Sequence, residues 1–227
     1  VGSVQAGNTI HGDDGDNVLV SGSTDDTLVG YGGDDTYVFD TDGPLGSDIL
    51  DEQTGGSGND TLDFSGSLTL AVVIDLSTKA VQIVNANLTL TLLGTLENLI
   101  GGQKDDILIG NAQANRITGG LGDDTLNGGT GNDTYHFADG WGSDSLNDDG
   151  GIDTLDFSAV TTPLSFDIGT ASLSVSGGAN RATHTGSAFD TFIGGTNDDT
   201  FTLADGVSLA GCLDGQAGVN TLDMSAF

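Results

Sequence analysis

GGLGDDTLN (119–127) runs directly into GGTGNDTYH (128–136), two nonapeptides laid end to end. Both fit G-G-x-G-x-D-x-U-x, with U a large apolar residue. Glycine lets a turn adopt positive φ and bring its carbonyls inward. The Asp at position six adds an anionic oxygen of the kind hard cations prefer. The apolar residue at position eight predicts a short strand facing a core. Twelve windows along the chain fit this period with position eight apolar. They start at His11, Ser21, Gly30, Gly43, Gly55, Gly101, Gly110, Gly119, Gly128, Asp139, Asp148 and Gly194. Their sixth positions are Asp16, Asp26, Asp35, Asp48, Asp60, Asp106, Asn115, Asp124, Asp133, Asp144, Asp153 and Asp199. Their eighth positions begin with Val18, Leu28 and Tyr37 and include Leu126 and Tyr135. Four windows run without a break from Gly101 to His136.

The 227 residues include 38 Gly and two Pro, and 34 acidic residues stand against four basic ones, a formal charge of −30. Such charge usually signals disorder. Here 36% of residues are apolar and recur in register, which predicts a conditional fold instead. Without cations, repulsion and glycine entropy hold the chain open. Lys79, Lys104, Arg116 and Arg181 are too few and scattered to neutralise a nucleic-acid backbone or an anionic membrane. No apolar run reaches the ~18 residues of a transmembrane span. Cys212 stands alone, so there is no disulfide framework, and it is expected as a small buried hydrophobe. His11, His136 and His184 lie far apart, Arg181 and His184 form the one close basic pair, and no GxSxG, HExxH or P-loop occurs. No enzyme is expected. The start at Val1 and the end at Phe227, each beside repeat-like sequence, suggest a piece of a longer protein.

A larger duplication overlies the short period. TLDFS (61–65) recurs at 154–158 and as TLDMS at 221–225, and DTYVFDTDGPLGSDIL (35–50) corresponds to DTYHFADGWGSDSL (133–146). ENLIGGQKDDILI (97–109) corresponds to DTFIGGTNDDTFT (190–202). Five segments follow: a first repeat block (1–64), a glycine-poor segment (65–96), a second repeat block (97–157), a second glycine-poor segment (158–189) and a partial third block (190–227). The glycine-poor segments read as strands, in LTLAVVIDLS and LTLTLL and then LSFDIG and ASLSVS. They either continue the solenoid without metal or form antiparallel hairpins beside it. No helix of normal length is expected. Tyr37 and Tyr135 fall in matching units, and their hydroxyls need partners if buried. Asp25, Asp34, Asp105, Asp123 and Asp198, at position five, are expected in solvent.

In these repeats the chain resembles the RTX family of secreted bacterial proteins. The resemblance implies an all-β, right-handed parallel β-roll with calcium in its Gly/Asp turns, interrupted by the glycine-poor segments. In that family, positions two, four and six of one nonapeptide face positions one, three and six of the nonapeptide two units later. Only position six acts through its side chain. Carried over, one site joins Gly102, Lys104 and Asp106 to Gly119, Leu121 and Asp124. A second joins Asn111, Gln113 and Asn115 to Gly128, Thr130 and Asp133, weakened by the missing charge of Asn115. Two more join Gly120, Gly122 and Asp124 to Asp139, Trp141 and Asp144, and Gly129, Gly131 and Asp133 to Asp148, Gly150 and Asp153. The insertion Phe137–Ala138 interrupts these two. The first block gives Gly12, Asp14 and Asp16 with Gly30, Gly32 and Asp35. It also gives Gly22, Thr24 and Asp26 with Gly43, Leu45 and Asp48, and Tyr31, Gly33 and Asp35 with Gly55, Ser57 and Asp60. Asp199 fits its own repeat, and Asn220 occupies the matching place in GQAGVNTLD (215–223).

The resemblance further implies several calcium ions, type I secretion, and a secreted or cell-surface location. The expected role is a structural module, adhesin-like, folding on export and packing against neighbouring repeats, with open ends able to associate. The alternative is a polysaccharide-binding or enzyme-accessory module holding a surface glycan through exposed aromatics, for which Trp141 and Tyr31 are the candidates.

Overall fold

A computed structural model describes residues 7–53, 56–185 and 189–225. The described residues contain strands and turns and no helix. The first block supplies β1 (Thr9–His11), β2 (Val18–Val20), β3 (Thr27–Val29), β4 (Thr36–Val38), β5 (Gly46–Asp51) and β6 (Thr61–Asp63). The first glycine-poor segment supplies β7 (Val73–Asp75), β8 (Gln82–Ile83) and β9 (Leu88–Leu93). The second block gives β10 (Asn98–Ile100), β11 (Ile107–Ile109), β12 (Arg116–Thr118), β13 (Thr125–Asn127), β14 (Thr134–Ala138), β15 (Ser143–Asn147) and β16 (Asp153–Ala159). Then come β17 (Ser165–Ile168), β18 (Leu173–Gly177) and β19 (Asn180–His184), followed by β20 (Phe189–Ile193), β21 (Thr200–Leu203), β22 (Leu213–Asp214) and β23 (Thr221–Asp223).

Successive roll strands alternate between two faces and pair in parallel with the strand one coil away. In the regular stretch this register is 18 residues, as in Ile107↔Thr125 and Arg116↔Thr134. After Phe137–Ala138 it becomes 20, as in Thr125↔Ser145 and Thr134↔Thr154. One face is a continuous nine-stranded sheet, β2-β4-β6-β10-β12-β14-β16-β20-β22. The other carries a five-stranded sheet, β1-β3-β5-β9-β8, and a nine-stranded one, β23-β21-β17-β18-β19-β15-β13-β11-β7.

Both glycine-poor segments take the hairpin alternative, and both do so within the interrupted face. In each, the last strand of an antiparallel meander pairs with the preceding roll strand, and the first strand pairs with the following one. Thus β9 pairs with β5 and β7 with β11, while β19 pairs with β15 and β17 with β21. On the continuous face β6 pairs directly with β10, and β16 with β20. A seam separates β7 from β8, where the Gln82 side chain takes the place of a ladder. Its Oε1 accepts the Asp75 N–H at 2.8 Å and its Nε2 donates to the Asp75 carbonyl at 2.9 Å.

Position-eight side chains stack into the core, because a β-strand sends alternate residues to opposite faces. On the continuous face the buried column includes Leu19, Tyr37, Leu62, Leu99, Ile117, Tyr135 and Leu155. On the other, Leu28 stacks on Leu50, and Leu108 on Leu126 and Leu146. Around the second meander the core becomes aromatic. Phe137 stacks on Phe157 at 4.2 Å, and Trp141 meets both edge-on.

Four expectations change. Val18 is 70% exposed and Leu19 only 3%, so the first window starts at Gly12, not His11, and its sixth position is Asn17. In Val-Leu-Val either residue parity looks apolar, and only packing decides it. Trp141 is 1% exposed, buried in the aromatic cluster, and presents no surface for a glycan. Cys212 is exposed, because it lies in the loop before β22 and not on an inward strand position. Arg181 and His184 do not form a pair: on β19 Arg181 faces out while His184 is buried, its Nδ1 2.9 Å from the Leu146 carbonyl.

Candidate metal centres

The turns lie along two edges of the roll. Turns leading into the continuous face form a long edge, whose position-six residues are Asn17, Asp35, Asp60, Glu97, Asn115, Asp133, Asp153 and Asp190. Each carboxylate reaches back one coil to the position-six amide there. Asp35 accepts from Asn17 N–H at 2.8 Å, Asp60 from Asp35 at 2.9 Å, Glu97 from Asp60 at 2.9 Å, Asp133 from Asn115 at 2.7 Å and Asp153 from Asp133 at 2.8 Å. Asp190 closes the series on Asp153 N–H at 3.4 Å. Glu97 and Asp190 fall outside every window identified in the sequence. The correspondence of ENLIGG with DTFIGG, read as turn register, was the signal for both.

The second edge is broken by the meanders into three runs. They are Asn8, Asp26, Asp48; then Asp106, Asp124, Asp144; then Asp199, Asn220. The same reach-back bond recurs, with Asp106 N–H on Asp124 Oδ1 at 2.8 Å and Asp124 N–H on Asp144 Oδ1 at 2.9 Å. Where a meander precedes, the amide comes from it: Val72 donates to Asp106 and Leu164 to Asp199. The position-five Asp residues are exposed as expected, yet they form a second ladder in the opposite sense. Asp105 Oδ1 accepts Asp123 N–H at 3.0 Å, and Asp34 Oδ1 accepts Asn59 N–H at 2.9 Å. Asp16 belongs to this ladder, bonding Asp34 N–H at 2.9 Å. The site drawn through Gly12, Asp14 and Asp16 is therefore displaced by one residue, to Asp13, Gly15 and Asn17 facing Gly30, Gly32 and Asp35.

The second carboxylate oxygen separates two kinds of turn. In closed turns it accepts the position-two amide four residues back. Asp26 does so from Gly22, Asp106 from Gly102 and Asp199 from Gly195. Asn17 and Asn115 make the equivalent bond with Oδ1, from Asp13 and Asn111. Of these, Asn17, Asp106 and Asp199 stand first in their runs, whereas Asp26 follows Asn8 and Asn115 follows Glu97. Asp48 is also satisfied, by the Ser21 hydroxyl at 2.6 Å. In open turns two residues take up positive φ, at positions two and four in Gly120 (105°) and Gly122 (124°) and at three and four in Gly150 (126°) and Gly151 (158°), and the position-two amide makes no bond to the carboxylate. There the second oxygen of Asp35, Asp124, Asp133 and Asp153 is buried without a hydrogen-bond partner. Position one explains its own glycine: a Cβ at Gly30, Gly119 or Gly128 would lie 2.0, 2.3 or 2.2 Å from that oxygen.

Two further acidic groups converge on the long edge. Asp35, Glu52 and Asp60 bring one oxygen each to within 4.8 Å of one another, as do Asp133, Asp148 and Asp153. Glu52 is 6% exposed and neither of its oxygens has a partner. Asp148 accepts the Tyr135 hydroxyl at 2.9 Å, whereas the buried Tyr37 hydroxyl has no partner. Burial, then the neighbouring Asp60, Asp35 and Glu97 charges, push Glu52 up to about 8. Burial raises Asp124 to about 7 and Asp144 to about 8. Burial likewise raises Asp60, Asp106 and Asp133 to about 6 each, and lifts Asp153. Stranded, desolvated carboxylates are costly unless compensated.

The structure therefore brings together Asp35 with Asp60, Asp26 with Asp48, Asp106 with Asp124, Asn115 with Asp133, Asp124 with Asp144 and Asp133 with Asp153. Protein donors already fill Asp26–Asp48. Asn115 turns its amide toward the Glu97 carbonyl at 3.0 Å and offers no anionic oxygen. Some position-two carbonyls, such as those of Tyr31, Gly102 and Gly129, already accept one cross-coil amide, leaving one lone pair each. Gly55 lies outside the described residues. All donors at the open turns are oxygens, with no thiol or imidazole in either carboxylate cluster. That is a donor set for a hard divalent cation.

The molecule is thus a β-roll whose glycine turns hold buried acidic oxygens in register from coil to coil. Residues 5–40, 54–66 and 100–135 match the RTX calcium-binding nonapeptide repeat in four copies, and these stretches are RTX repeats. In these stretches the β-roll is built from repeats of the calcium-binding type. No curated protein matches the chain.

Proposed function

We propose that the chain is a calcium-dependent structural module of a secreted or surface exoprotein, adhesin-like in role, which folds when it meets high calcium outside the cell. The unpartnered buried oxygens of Asp35, Asp124, Asp133 and Asp153 carry this reading. They destabilise the folded chain unless a cation reaches them, and only the folded chain assembles them. Binding to the folded form alone stabilises it by RT ln(1 + [L]/Kd), about 2.7 kcal/mol per site at a hundredfold excess over Kd. Three such sites contribute about 8 kcal/mol, comparable to the whole margin by which an ordinary domain is stable. Low calcium inside the producing cell then keeps the chain extended for export, and external calcium folds it. The burial of Trp141 removes the main support for a glycan-binding role.

Far-ultraviolet circular dichroism of the metal-stripped chain, titrated with calcium and separately with magnesium, tests this. A cooperative gain of β signal with calcium and not magnesium is expected. Full β signal in chelator would refute the folding switch.

A further inference from the structure

Glu52 belongs to no nonapeptide position, and Asp148 stands at position one, where the repeat uses only a carbonyl. Each nevertheless joins a position-six pair of the long edge. The two places correspond in the duplicated halves: DTYVF (35–39) matches DTYHF (133–137), which pairs Asp35 with Asp133 and Tyr37 with Tyr135. The third acid arrives by different routes. The step from one coil to the next spans 25 residues at Thr36↔Thr61 and 20 at Thr134↔Thr154. Loops of different length thus deliver the same three-carboxylate arrangement twice.

Three features show that these groups are not merely paired acids on a surface. Asp35, Asp133 and Asp153 each keep a buried oxygen without a partner, and Glu52 keeps two. Glycines leave room for Glu52: a Cβ at Gly56 would lie 2.3 Å from its Oε2, and one at Gly94 would lie 2.5 Å from its Cβ. No basic side chain compensates them, the one ion pair among the described residues being Arg116–Asp156. Three carboxylate oxygens within 4.8 Å, from three buried residues in the first group and from two buried residues and the half-buried Asp148 in the second, call for a cation.

Resting on the calcium reading above, we propose that Glu52 and Asp148 are side-chain ligands of two enlarged calcium sites, one in each half. Each site is built from three carboxylates, and each binds more tightly than the two-carboxylate site at Asp124 and Asp144. More anionic ligands raise calcium affinity, so these two sites fill first and set where each stack begins to order.

The test is a calcium titration of the full chain against a competing chromophoric chelator, with Glu52→Gln, Asp148→Asn and, as a charge control, the exposed Asp205→Asn. Each of the first two is expected to weaken one tight site about tenfold or more, and the double variant to lose both tight steps. Asp205→Asn should titrate as wild type. Glu52→Gln is also expected to unfold at an equal or higher denaturant concentration in metal-free buffer, but at a lower one in saturating calcium. A merely structural role would shift both in the same direction. Glu52→Asp, which keeps the carboxylate, should recover part of the lost affinity. If wild type binds calcium and both variants titrate like it, the third-ligand proposal is wrong. If wild type binds none, the calcium reading itself fails.

Discussion

Position one of each turn shows how a single atom governs the site. At Gly128 a Cβ would fall 2.2 Å from Asp133 Oδ2 and 2.7 Å from the Tyr135 hydroxyl. Gly128→Ala must therefore push the Asp133 carboxylate off its bond to Asn115. A cost of about 1–3 kcal/mol is expected from overpacking, read by denaturation in calcium, together with weaker calcium binding. Much at this scale was legible in the sequence, since the nonapeptide spacing read through the RTX resemblance set Asp106, Asp124, Asp133, Asp144 and Asp153 on adjoining coils. The register at Val18 and Leu19 was not, because both residues are apolar. Glu97 escaped notice because Glu stands where the pattern asks for Asp. Whether a turn is open or closed depends on where the position-two amide points, and Gly102 and Gly120 look alike in sequence while differing in that respect.

At the scale of elements, the meanders separate what propensity can show from what it cannot. Val, Leu and Thr marked the strand-rich stretches, and β9, β17 and β18 fall within them. Their order in the sheet was not legible. Running each meander backwards, so that its last strand meets the preceding coil, is a matter of long-range pairing and not of local preference. The seam between β7 and β8 rests on Gln82, whose amide makes both bonds to the Asp75 backbone. Gln82→Ala leaves those backbone groups without their protein partner. A loss of about 1–3 kcal/mol is expected, measured by denaturant unfolding in saturating calcium, with faster amide exchange at Asp75.

For the whole molecule, the raised carboxyls link folding to protons, beside the proposed link to calcium. Unfolded Asp and Glu release their protons near pH 4. In the folded, metal-free chain Asp60, Asp106 and Asp133 hold theirs to about 6, Asp124 to about 7, and Glu52 and Asp144 to about 8. The folded state thus binds more protons than the unfolded one across this window, and its stability falls as pH rises from about 4 toward about 8. The metal-stripped chain is expected to gain β signal on acidification from pH 8 to 5. Calcium affinity should move the opposite way, weakening as protons compete for the same oxygens. A circular dichroism series in metal-free buffer and a parallel calcium titration at each pH check both. The two meanders add a geometric consequence. Each places two more strands on one face than on the other between the same pair of coils, roughly 10 Å of extra width at ordinary strand spacing. At both places the two faces of the roll differ in strand count, three strands against one between the flanking coils, a mismatch written into the chain itself.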